Sequence, residues 1–93
     1  MKITGSHILA ARDLLGLTQG ELAEAADVAL STIVRFETGK AEPYPASIEK
    51  IKAELEKRGI ELTNGNGIGV RLKFAKAAEY ARATTQAGKT PEQ

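Results

Sequence analysis

Apolar positions along this chain change period twice. Up to Leu55 they recur at three- and four-residue spacing, as on amphipathic helices; from Ile60 to Leu72 they alternate, as on strands; from Phe74 the helical spacing returns. The pattern predicts four helices, a hairpin and a last helix.

Ser6 or Thr4 caps the first helix, whose apolar positions are Ile8, Ala11, Leu14 and Leu15 and which ends at Gly16. Thr18 and Glu21 have the spacing of a capping box, which starts a second helix at Gln19. That helix runs to about Ala26, with Leu22, Ala23 and Ala26 inward and Glu21 and Glu24 outward. Asp27 tolerates positive φ, so a sharp turn through Asp27, Val28 and Ala29 follows. A third helix starts near Leu30 or Ser31. Ile33 and Phe36 share its packing side; Leu30, Ser31, Val34 and Arg35 share the other, and Gly39 follows its end.

Pro43 and Pro45 make Ala41 to Pro45 a loop. From Ala46 or Ser47 a fourth helix reaches about Arg58, with Ile48, Ile51 and Leu55 inward. Glu49, Lys50, Glu54, Glu56 and Lys57 form a solvated face, and Gly59 stops the helix. Next, IELT and IGVRL flank NGNG, a hairpin signal with Ile60 and Leu62 on one face and Ile68, Val70 and Leu72 in the return strand. A two-stranded ribbon is marginal in water, and pairing with the ribbon of a second protomer is one economical cover. Lys73 to Ala87 predicts the last helix, with Phe74, Ala77, Ala78 and Ala81 as its apolar stripe, Lys76, Glu79 and Arg82 outside and Gly88 at its end. The predicted division is residues 1–59 as the main domain, 60–88 as a dimerising hairpin and helix, and 89–93 as a disordered tail.

Composition narrows the chemistry. The 93 residues include no cysteine and one histidine, so no thiolate metal site or disulfide is expected, and no cofactor is implied. His7 sits in the first helical turn without a second ligand of its kind, which leaves it a solvated or capping role. No nucleophile or acid–base set is assembled, so an enzyme is not expected. Without a membrane-length apolar run or a signal-peptide layout, the expected location is cytoplasmic. Net charge is only +1: eight basic and nine acidic residues precede Ile60, five and three follow. Bulk charge therefore gives no argument for nucleic acid, and any such argument must rest on where particular charges sit.

One place stands out. An exposed helix face mixing short hydroxyls with one long bidentate donor, Arg35, suits a DNA major groove, where a guanidinium can grip guanine O6 and N7. The alternatives for Arg35 are a solvated side chain or a pair with Glu37 or Asp27; for Leu30, partial burial against the corner of the turn. The segment GLTQGELAEAADVALSTIVRFETGK also resembles the helix-turn-helix of the Cro/C1-type (Xre) repressors. Matching positions are Gly16, Leu17, Thr18, Gln19, Glu21, Leu22, Ala23, Val28, Ile33, Glu37, Gly39 and Lys40. The resemblance covers about Ile8 to Leu55. Asp27 departs from the usual glycine, and Ala29 and Leu30 from common polar residues.

The resemblance implies a mainly α, lambda-repressor-like bundle of four to five helices, with the hairpin and final helix as additions. It implies that Ala29, Leu30, Ser31 and Arg35 face bases, while Gln19, Thr32 and Lys40 bond phosphates and so set the register. Arg12 and Glu37 would form a structural ion pair between the first helix and the end of the recognition helix. The implied function is a transcriptional regulator, a repressor of the phage or mobile-element kind, that binds a palindromic operator as a homodimer with half-sites about 34 Å apart. The alternative is a protein-interaction module, such as an antitoxin, that binds its partner through residues 60–88.

Overall fold

The computed structural model describes residues 2–88, so the predicted tail, residues 89–93, lies outside the described residues. Five helices and a two-stranded sheet follow in the order α1 (Gly5–Leu15), α2 (Gln19–Ala26), α3 (Leu30–Glu37), α4 (Pro45–Lys57), β1 (Ile60–Thr63), β2 (Gly69–Leu72) and α5 (Phe74–Gly88). The fold is mainly α and lambda-repressor-like, with the hairpin and last helix following the bundle.

Local chemistry explains most boundaries. Thr18 and Glu21 form the reciprocal capping box, the Thr18 hydroxyl accepting from the Glu21 amide at 3.0 Å and the Glu21 carboxylate from the Thr18 amide at 2.9 Å. Asp27 takes the left-handed conformation, φ 61°, and turns the chain from α2 into α3. Lys50 on α4 donates to its carbonyl at 3.3 Å. The fourth helix begins earlier than predicted: Pro45 is its first residue, because the missing N–H of proline costs nothing in a first turn and its fixed φ suits a helix.

A single core joins Ile8 and Ala11 of α1, Leu22, Ala23 and Ala26 of α2, Ile33 and Phe36 of α3, Ile51 and Leu55 of α4, and Ile60 and Leu62 of β1. The strands pair antiparallel, Ile60 opposite Leu72 and Leu62 opposite Val70, so one hairpin face lies on α1 and α4. The other face carries the cross-strand pair Glu61–Arg71, 2.7 Å apart. Cover for the ribbon thus comes first from its own chain. Ile68 stands just outside β2 and is half exposed.

Three predicted orientations are corrected. Leu14 is 49% exposed; Leu15 beside it points to the core instead, since the buried stripe of α1 is too narrow for both. Glu54 is buried rather than solvated, because Arg58 and Lys57 reach it at 2.7 and 3.1 Å and neutralise it. Phe74 is 83% exposed, and Ala78 and Ala81 are exposed with it. Of the predicted stripe Ala77 docks, and Tyr80 joins it: a Cβ at Gly59 would lie 2.9 Å from the Ala77 amide, and the Arg58 guanidinium sits 4.8 Å from the Tyr80 ring centroid.

Of the two roles expected for His7, the structure shows the capping one, with the ring buried. Thr4 is the N-cap of α1; its amide donates to His7 Nδ1 at 3.0 Å, which places the proton on Nε2, and Nε2 donates to the Thr63 carbonyl at 2.8 Å. The fully buried imidazole therefore ties the start of α1 to the hairpin. Replacing His7 with Ala should destabilise the fold by about 2–3 kcal/mol, since the Thr4 amide and Thr63 carbonyl lose their partner and a cavity opens where the buried ring stood. Urea unfolding measures this, and a cost near zero would contradict the tie.

Candidate nucleic-acid interface

Helix α3 is placed from both ends. Its packing residues Ile33 and Phe36 sink into the core, and its C-terminal backbone abuts the first turn of α1 so closely that a Cβ on Gly5 would lie 2.1 Å from the Phe36 carbonyl oxygen. Its outer face is left to solvent.

The brace beneath it is the predicted ion pair. Arg12 Nε donates to Glu37 Oε2 at 2.9 Å and Arg12 Nη2 to Glu37 Oε1 at 3.1 Å, while Nη1 bonds the Leu17 carbonyl at 2.9 Å. The Glu37 side chain is only 3% exposed. These bonds raise the pKa of Arg12 and outweigh desolvation, which acts to lower it. Gln19 joins the same network, its Nε2 donating to Glu37 Oε1 at 3.0 Å. The residue expected at a phosphate is thus also a strut between α2 and α3. Its backbone amide lies in the first turn of α2, where helix geometry leaves N–H groups without internal partners.

On the outer face, Ala29 is the N-cap of α3 without a side-chain cap bond. Leu30 is 52% exposed. Ser31 and Arg35 are exposed and Thr32 is half-buried. Ser31, Thr32 and Arg35 line one open groove of about 390 Å³, closed on its far side by the α3–α4 loop. Lys40 lies past the helix end, where its amide donates to the Arg35 carbonyl at 2.9 Å. Among the described residues the Arg35 guanidinium has no hydrogen bond or ion pair. Of the two carboxylates that could have taken it, Glu37 is engaged with Arg12 and Gln19, while Asp27 is exposed and faces Lys50 at 3.7 Å.

Glu42 and Tyr44 also line or border this groove and were not singled out by the sequence pattern. Glu42 binds Lys2 at 2.9–3.0 Å, a contact across 40 residues that no local spacing signals. For Tyr44 a signal exists, since an aromatic between two prolines in a polar loop has no core to enter.

Two short helices joined by a left-handed aspartate turn, the second braced at its end and exposed along one polar face, define a helix-turn-helix DNA-binding unit. The chain belongs to the Cro/C1-type helix-turn-helix family: the family model described as Helix-turn-helix matches residues 8–61. No curated protein matches the chain. The protein is accordingly a DNA-binding helix-turn-helix regulator. No described helix is long and apolar enough to cross a membrane.

Proposed function

We propose that this regulator is a repressor that reads a palindromic operator as a homodimer, with Arg35 as its principal base reader. The observation that carries the reading is the freedom of Arg35. An exposed guanidinium that makes no hydrogen bond or ion pair among the described residues is available for two bonds to a guanine edge. Ala29, Leu30 and Ser31 stand beside it, and the exposed Leu30 suits a thymine methyl. Gln19, Thr32 and Lys40 flank this strip and take the phosphate contacts, which fix register without reading sequence.

The homodimer follows from how such a unit gains specificity. One short helix reads only a few base pairs, and two-fold pairing doubles the reading while setting half-sites about one helical turn apart. Residues 60–88 are the surface assigned to the second copy, supported by Ile68 and Phe74, 50% and 83% exposed. The same exposure supports a second reading, in which this surface holds a different protein. Deleting residues 73–93 would then remove a co-purifying polypeptide and not the self-association.

Titrating variants against a selected duplex and a random one tests the assignment. Arg35→Ala should lose about ten-fold or more on the selected duplex and little on the random one, since a bidentate base contact discriminates by about 1–3 kcal/mol. Gln19→Ala should weaken both to a similar degree. Equal losses on both duplexes for Arg35→Ala would remove Arg35 as the reader.

A further inference from the structure

We infer that the open hollow between the second half of α4, strand β1 and the start of α5 is a docking surface for an acidic segment of a partner protein, whose carboxylates meet Lys57, Lys73 and Lys76. It stands on residues other than those of α3, so it does not depend on the DNA reading. Ile68 and Phe74, which support the second copy, are not in its lining.

The hollow holds about 540 Å³, and the three lysines come to it from α4, from the turn after β2 and from α5. The fold fixes where they stand. The Lys73 amide donates to the Gly59 carbonyl at 2.8 Å, one step beyond the hairpin ladder, and the Lys73 carbonyl accepts from the Ala77 amide at 2.9 Å. With Ala77 seated against Gly59, Lys73 and Lys76 project from an anchored helix start.

Charge in and around the hollow does not balance. Five ion pairs lie there: Lys52–Glu56, Lys57–Glu54, Arg58–Glu54, Arg71–Glu61 and Lys76–Glu79. They join five cations to four carboxylates, and Lys73 is a sixth cation with no ion pair or side-chain hydrogen bond among the described residues. Of the thirteen basic and twelve acidic residues in the chain, seven and eight are left elsewhere, so the positive excess of the protein is concentrated here. The two carboxylates in the lining, Glu56 and Glu61, are answered from outside it by Lys52 and Arg71. Lys57 shares Glu54 with Arg58, and Lys76 reaches Glu79 only at 4.0 Å. Three ammonium groups on one hollow repel each other in the free protein, and a carboxylate set among them relieves that repulsion.

The lining also says what kind of anion fits. A polyanion of uniform charge would meet Glu56 and Glu61 on the same walls as the lysines. A peptide can place its carboxylates opposite the lysines alone and rest an apolar side chain on Ala53, Ile60 and Leu62.

The test is fluorescence anisotropy of the full chain with two synthetic peptides carrying the same label: Glu-Leu-Glu-Glu-Leu-Glu, and its counterpart with glutamine in place of every glutamate. The acidic peptide should bind at least about ten-fold more tightly, and its affinity should fall as salt rises. Lys73→Glu should weaken it about five-fold, and Lys73→Glu with Lys76→Glu about ten-fold or more. Arg82→Glu makes the same change in net charge as Lys73→Glu at an exposed position of α5 outside the hollow, and it should stay within about two-fold of the unmodified chain. The inference is overturned if the two peptides bind alike or not at all, or if Arg82→Glu loses as much as Lys73→Glu. It is also overturned if the double variant keeps the acidic peptide but loses a random-sequence DNA duplex about ten-fold, which would make the hollow a duplex contact.

Discussion

Replacing Arg12 with Met is expected to cost about 3–5 kcal/mol of stability. Glu37 would remain with its side chain 3% exposed, its two Arg12 bonds gone and only the Gln19 amide to meet its charge. Against a total of about 5–15 kcal/mol for a small domain, that is a large share. The pair itself need not be a net source of stability, because its desolvation offsets much of its attraction. The double replacement Arg12→Met with Glu37→Leu should therefore regain most of the loss. Urea unfolding of the two variants measures both effects. A single-variant cost below about 1 kcal/mol would mean that Glu37 is rehydrated easily and does not brace α3.

Gly5→Ala is expected to cost about 3 kcal/mol, at the upper end for overpacking. Alanine in a helix is ordinarily better than glycine by up to about 1 kcal/mol. Here that gain is opposed by backbone: the new Cβ would lie 2.1 Å from the Phe36 carbonyl oxygen and 2.9 Å from its carbon. Neither atom can rotate away, so α1 must separate from the end of α3, and the Arg12–Glu37 bonds loosen with it. Ser6→Ala, one residue along and exposed, should be nearly neutral in the same thermal melt and serves as the control. Equal melting temperatures for the two variants would contradict the close approach of these helices.

These two sites differ in how visible they are in the sequence. Arg12 and Glu37 were expected as a pair from the resemblance, and the capping box at Thr18, the aspartate turn and the stops at Gly16 and Gly39 follow from local chemistry that three or four neighbouring residues settle. Gly5 gives no such sign, because its neighbours are a carbonyl and a Cα more than thirty residues away. Leu14 and Phe74 mislead for a related reason. Helical periodicity marks a stripe about 100° wide but not which edge of it meets the core. A neighbour one position along can take the inward place, as Leu15 does, or one edge of the stripe can dock, as Ala77 does with Tyr80 beyond it.

Polar burial was the least legible. Glu54 belongs to a run of charges whose solvated reading holds for Glu49, Lys50, Glu56 and Lys57, and only its spacing to Lys57 and Arg58 hints at a neutralised position. The Thr4–His7 spacing matches that of a capping box with histidine in place of glutamate, so the cap was readable; the Thr63 carbonyl on the far side of the ring was not. At the interface, residue types placed Arg35 and Ser31 on an outer face, but the freedom of Arg35 depends on what occupies Glu37 and Asp27, a property of the folded chain.

Selection of DNA fragments bound by the unmodified protein, read together with the mass of the complex in solution, tests the central claim most directly. The account predicts an inverted repeat with half-sites about one helical turn apart, carried by a complex containing two protein chains. Salt-sensitive binding without any enriched sequence would contradict it, leaving a DNA binder that does not read bases.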